Sequence, residues 1–112
     1  YMCLRDCFNR LLREKSKTTS TIYNKTEEHH DIYNKISSGK TIRPTSDTLL
    51  KIAVVLELSV EETYDLFKAA KSSITSRKEK IVLSCLYLGV YSLTYIDTVL
   101  DNANESILFA LE

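Results

Sequence analysis

Apolar positions recur at helical spacing along most of this chain. Residues 3–15, CLRDCFNRLLREK, carry one stripe of Cys7 or Phe8, Leu11 and Leu12, with Arg5, Asp6, Arg10, Arg13 and Glu14 around it. That is the pattern of an amphipathic helix. The run KSKTT after it ends the helix and supplies hydroxyls to cap another. Between residues 18 and 58 the spacing predicts two short helices, a polar connector and a very apolar helix. The first short helix, 19–25, turns Ile22 and Tyr23 inward. A tight corner at 26–28 follows. The second short helix, 29–37, places Ile32, Tyr33 and Ile36 on one face. Gly39 stands where a helix end needs a residue tolerant of positive φ. Pro44 before Thr45 or Ser46 is a proline-then-cap entry to a helix over 46–57. That helix is apolar without a break from Ile52 to Leu56, and a helix apolar all round is a buried one.

Two capping boxes open the next helices: Ser59 with Glu62, and Ser76 with Glu79. The fifth helix turns Thr63 or Tyr64, Phe67 and Ala70 to the core. Lys68 and Lys71 at its C-terminal end suit the helix dipole. From Ile81 to Leu88 the chain is apolar but for Ser84, and Gly89 stops it. Periodicity alone allows a strand there; the box in front argues for a helix. In the last helix Leu93, Ile96, Val99 or Leu100, and Ala103 face the core, with Thr94, Asp97, Asp101 and Glu105 facing solvent. Tyr87, Tyr91 and Tyr95 stand four apart across Gly89 and read as core or interface filler. With the 81–88 run they make an apolar surface that needs a cover, either the first five helices or a second copy of the chain.

Two short helices joined by a tight corner follow helix-turn-helix logic. The ordered residues Ile22-Tyr23, Tyr33 with Ile36, Gly39, Pro44-Thr45, Thr48-Leu49 and Ile52-Ala53 resemble the Cro/phage-repressor-type (XRE-like) helix-turn-helix family. The pair Ile22-Tyr23 and the phrase Tyr33-Asn34-Lys35-Ile36 are closer still to a bacterial and phage subgroup with a tail helix region. The resemblance spans about residues 5–108. It implies an all-α fold: a lambda-repressor-like five-helix domain over 3–72, and a two-helix C-terminal extension over 76–112 that packs on it or forms a dimer interface. It also implies a DNA-reading role in a transcriptional regulator. The chain departs from the family pattern at the corner. Glu27 and Glu28 stand where the family has a small residue and an apolar one, and Tyr23 where a small Ala is usual. The corner's surface therefore becomes acidic.

At 112 residues one domain is expected. Two Gly and one Pro fit long regular elements. Fifteen basic and fifteen acidic residues leave no net charge, whereas a free-standing nucleic-acid module is usually basic. The balance is uneven, though. Residues 1–75 hold twelve basic and ten acidic residues, and 76–112 hold three and five; the first twenty-five hold six and two. Three Cys, an odd count, fit a reducing compartment. Cys3 and Cys7 with His29 and His30 sketch a zinc site, but no Cys-x-x-Cys or His-x-x-x-His pair supports it. Neither metal nor cofactor is expected. No apolar run reaches the roughly 18–20 residues of a membrane span, and no signal peptide is evident. The expectation is a soluble, cytoplasmic protein with no membrane partner. Tyr1 ahead of Met2 reads as an added residue.

No catalytic set stands out. His29 and His30 are the only histidines, and neither a Gly-rich phosphate loop nor a carboxylate pair placed for burial is present. The chain reads as a non-enzyme, which leaves two kinds of binding. In the first, the partner is double-stranded DNA. The second short helix enters the major groove with His29, His30, Asn34 and Lys35 as readers, since Asn pairs with adenine and Lys with guanine. Lys17, Thr19, Lys25, Lys40 and Arg43 then lie near phosphates. Arg10, Arg13, Lys15 and Lys17 are either a further phosphate-facing patch or an ordinary solvated face. In the second, the module docks on a protein with a basic surface through Glu27, Glu28 and Asp31, as in a phage anti-defence or anti-CRISPR-type inhibitor. The DNA-binding reading is preferred, and a homodimer through the C-terminal helices would double its contacts.

Overall fold

The computed structural model describes residues 3–26, 30–40 and 43–110. Among the described residues there are seven helices and no strands: α1 Leu4–Glu14, α2 Thr19–Thr26, α3 His30–Ser38, α4 Ser46–Val55, α5 Val60–Ala69, α6 Arg77–Tyr87 and α7 Leu93–Asn102. None is long and apolar enough to cross a membrane.

Hydroxyl caps start four of these helices. Thr45, Ser59, Ser76 and Ser92 accept from the backbone N–H groups of Thr48, Glu62, Glu79 and Tyr95. Each satisfies a donor that has no partner inside its helix. At Ser59 and Ser76 the box is complete, with Glu62 and Glu79 reaching back to the cap's own N–H, both at 2.8 Å. Six of the helices, α1 and α3 to α7, end in a common way. The N–H groups of Lys17, Lys40, Leu58, Ser72, Val90 and Glu105 each reach a carbonyl five residues back, at 2.8–3.1 Å. The residue before each of them is left-handed: Ser16, Gly39, Glu57, Lys71, Gly89 and Asn104. This is the Schellman closure.

α4 is the central element. Leu49, Leu50 and every residue from Ile52 to Val55 are buried, and α4 packs against α2, α5 and α6. α1 buries Cys7, Phe8, Leu11 and Leu12 and packs against α3 and α5. α2 lies against α3 and buries Ile22, with Tyr23 half-buried. In α5 the inward face is Thr63, Leu66, Phe67 and Ala69. Tyr64 is 51 % exposed, so Thr63 and not Tyr64 is the core residue of that pair.

The segment 81–87 is helical within α6, with Leu88 as its C-cap, and α6 packs on α4, α5 and α7. Polar ties reinforce it. The Ser46 hydroxyl donates to Glu79. The buried Lys78 ammonium reaches Asp47 Oδ1 at 3.0 Å and donates to Ser106 Oγ at 2.8 Å.

Two expectations fail in this region. Asp97 does not face solvent: it is 6 % exposed. The chain after α7 folds back over the helix, and its backbone N–H groups need an acceptor there. Asp97 supplies it to Leu108, Phe109 and Ala110 at 2.7–3.2 Å. For Tyr87 and Tyr95 the core half of the core-or-interface expectation fails too, since they are 80 % and 55 % exposed. Gly89 ends α6 and turns the chain, and only Tyr91 of the three is half-buried.

Candidate nucleic-acid interface

α3 is the helix that sequence periodicity offers as a reader. Its Tyr33 and Ile36 are buried at 0 % and 1 % exposure. Helical spacing then turns Asp31, Asn34, Lys35 and Ser38 outward, and all four are exposed.

Two neighbours hold α3 in place. From α1, the Asn9 side-chain amide donates to the Ser37 carbonyl at 2.9 Å, and the Ser37 hydroxyl returns a bond to Asn9 Oδ1 at 2.7 Å. From α2, the Thr19 hydroxyl donates to Asn34 Oδ1 at 2.8 Å. Thr19 is therefore a brace for Asn34. Pairing with adenine uses both polar atoms of an Asn side chain, and here one already has a partner. Lys35 lies 3.7 Å from Asp31 one turn back, so the one described carboxylate on this face is matched by a cation. His30 is the first residue of α3. His29, Glu27 and Glu28 lie outside the described residues.

The cations divide cleanly. Arg10 faces Glu14 at 3.9 Å, and Lys15 meets Glu62 at 3.0 Å, tying α1 to α5. Burial works to raise the Glu62 carboxyl, but the Ser59 backbone N–H and the Lys15 ammonium outweigh it and hold Glu62 below its ordinary value. Arg10 and Lys15 are thus engaged within the fold. Lys17, Lys25, Lys40 and Arg43 are exposed and make no ion pair among the described residues.

Two hollows flank the C-terminal half of α3. One, of about 530 Å³, is lined by Arg13, Lys17 and Thr19 together with Ser37 of α3. The other, of about 620 Å³, is lined by Lys40 and Arg43 together with Arg5, Lys71 and Ile36. The structure therefore brings Lys17 and Thr19 to one side of α3, and Lys40 and Arg43 to its end. Lys25 stands apart from both groups, in the last turn of α2.

Arg5 and Lys71 are absent from the sequence-based set. Their convergence is tertiary: α1 starts, α3 ends and α5 ends at one place. The one local signal is Gly39. A Cβ there would meet Arg5 Cδ at 2.8 Å, so glycine allows the arginine stem to lie across the end of α3. No protein-family model, curated protein or solved structure matches this chain.

Proposed function

We propose that the chain is a sequence-reading DNA-binding module of a transcriptional regulator. In this reading α1–α5 form a lambda-repressor-like domain, α2 and α3 are its helix-turn-helix, and α3 enters the major groove. The observation that carries it is the arrangement around α3. Its exposed face is flanked by Lys17 on one side and by Lys40 and Arg43 at its end, and none of these is ion-paired among the described residues. Cations left free beside an exposed helix suit a phosphate backbone on either side of a groove. Asn34, braced by Thr19, and Lys35 supply polar groups for base edges.

The acidic corner works against affinity. Glu27 and Glu28 precede α3 in the sequence. At a near-aqueous dielectric each opposes a close phosphate by only about 1 kcal/mol, which weakens binding without forbidding it.

Fluorescence anisotropy with duplexes enriched from a random pool tests the proposal. Affinity is expected to fall with salt at a log–log slope of about 3, since three or so phosphates would be neutralised. Lys17→Gln with Arg43→Gln is expected to flatten that slope by about 2, and Glu27→Gln with Glu28→Gln to tighten binding. No retention of any duplex at low salt would sink the DNA reading. It would leave Asp31 and the acidic corner as the place to look for a protein partner.

A further inference from the structure

The hollow at the end of α3 has a second property. Arg5, Lys40, Arg43 and Lys71 converge on it, while no carboxylate lines it among the described residues. Its inner wall includes Ile36 and Ala69, which are buried. Its volume of about 620 Å³ falls in the range of small-molecule sites, roughly 300–1,000 Å³. Arg5 is partly compensated by Asp6, at 3.2 Å; Lys40, Arg43 and Lys71 have no such partner among the described residues. Four cations on one concavity stand out in a chain of zero net charge.

The backbone adds to this. The start of α1, at Cys3, Leu4 and Arg5, forms part of the hollow's lining. Cys3 makes no side-chain cap there, unlike the hydroxyls that start α4 to α7. The start of α1 therefore borders the same space as the four side chains, with Asp6 in its first turn offsetting part of the helix's positive end. Gly39, having no side chain, leaves room for the Arg5 stem beside it.

We infer that this hollow is a binding site for a phosphorylated small molecule of the nucleotide class. The phosphates lie among Arg5, Lys40, Arg43 and Lys71, and the base or sugar lies against Leu4 and Ala70, the half-buried apolar residues of the lining. Arginine and lysine recognise phosphate by charge-assisted hydrogen bonds, and the apolar wall gives a flat ring a surface that bare phosphate does not use. Lys40 and Arg43 are shared with the proposed DNA interface, but Arg5 and Lys71 belong to the hollow alone. A ligand there would compete with a duplex for the two shared cations.

The test is titration of the full chain with ADP, adenosine and pyrophosphate at low salt, followed by backbone amide NMR shifts. ADP is expected to saturate with Kd at or below about 1 mM, with shifts concentrated at residues 4–5, 39–40, 43 and 69–71. Adenosine is expected to bind at least about tenfold more weakly, and so is ADP to the Arg5→Gln, Lys71→Gln double variant. Both residues are exposed, so that variant is expected to keep its melting midpoint. Absence of saturation, shifts scattered over the surface, or unchanged ADP affinity in the double variant would each overturn the site. Pyrophosphate binding as tightly as ADP would overturn its apolar half. DNA retention by the wild type is scored separately, so failure here and failure of the DNA reading are distinguishable.

Discussion

The Asp97 carboxylate accepts from three successive backbone N–H groups, those of Leu108, Phe109 and Ala110. The two larger side chains among them, Leu108 and Phe109, are buried at 5 % and 4 % exposure. One side chain therefore both satisfies the tail's donors and seats its anchors. Asp97→Ala leaves these donors without their acceptor. With a net cost of about 1–3 kcal/mol per unsatisfied buried group, and partial rescue by water, the expected loss is roughly 3 kcal/mol in urea melts. Amide exchange at residues 108–110 is expected to accelerate selectively. An unchanged urea midpoint would show that the tail contributes nothing to the fold. Helical periodicity places Asp97 beside Thr94 and Asp101, which are exposed, so a sequence reading turns it outward. What reverses it is eleven or more residues away along the chain, and no local pattern carries that information. The left-handed helix ends show the same limit. Gly39 and Gly89 are legible as such because glycine bears no Cβ penalty. Ser16, Glu57, Lys71 and Asn104 adopt the same region with φ of 54–60°, and there the hydrogen bonds of the closure override residue preference.

Among the elements, α6 depends on its start. Glu79 accepts from the backbone N–H groups of Thr75 and Ser76 at 2.9 and 2.8 Å, and from the Ser46 hydroxyl of α4. Burial tends to raise its carboxyl, but the Ser46 hydroxyl and these N–H groups outweigh burial and hold it below the ordinary 4.5. A carboxyl lowered on folding contributes stability that is present above its unfolded value and lost as pH falls through the folded one. The stability advantage of the wild type over Glu79→Gln is therefore expected to be full at neutral pH, about 1 kcal/mol, and to shrink below pH 4.5. Thermal melts from pH 7 to pH 3 check this, and a constant difference across the range would remove Glu79 from the acid response. The box itself was readable in Ser76 and Glu79, as was the one in Ser59 and Glu62, because capping is a matter of three-residue spacing. The Ser46 bond was not readable, since it joins residues thirty-three apart. Helix existence is local and was legible; the choice of inward residue was less so. Thr63 and Tyr64 are adjacent, and only packing decides that the smaller one is buried.

At the scale of the whole molecule, the candidate interface divides in the same way. The outward placing of Asp31, Asn34 and Lys35 on α3 followed from spacing. The grouping of Arg5 and Lys71 with Lys40 and Arg43 followed from three helix ends meeting, which a linear reading cannot see. The Cα radius of gyration, 13.0 Å, equals the roughly 13 Å of a closed domain this long, so α6 and α7 are folded against the rest. Val82, Leu83, Cys85, Leu86, Ile96 and Leu100 are each at most 7 % exposed, and α6 reaches α4 and α5 directly. Burying side chains of this size is worth roughly 1.5–3 kcal/mol each. Removing residues 76–112 deletes them, uncovers the facing side of α4, and takes away the partners of Ser46 and Asp47. The 1–75 chain is therefore expected to lose several kcal/mol of stability, with a depressed and broadened melt in circular dichroism. In light scattering it is expected to self-associate through the uncovered face. A 1–75 chain that stays monomeric and melts as the full chain does would show that α1–α5 hold α3 in place unaided. The same truncation separates core from interface, because Lys17, Lys40 and Arg43 all remain in it. If its duplex affinity falls only as far as its folded fraction falls, then α6 and α7 serve DNA binding through stability. A larger fall, with folding preserved, would point to a direct contribution of the tail to binding.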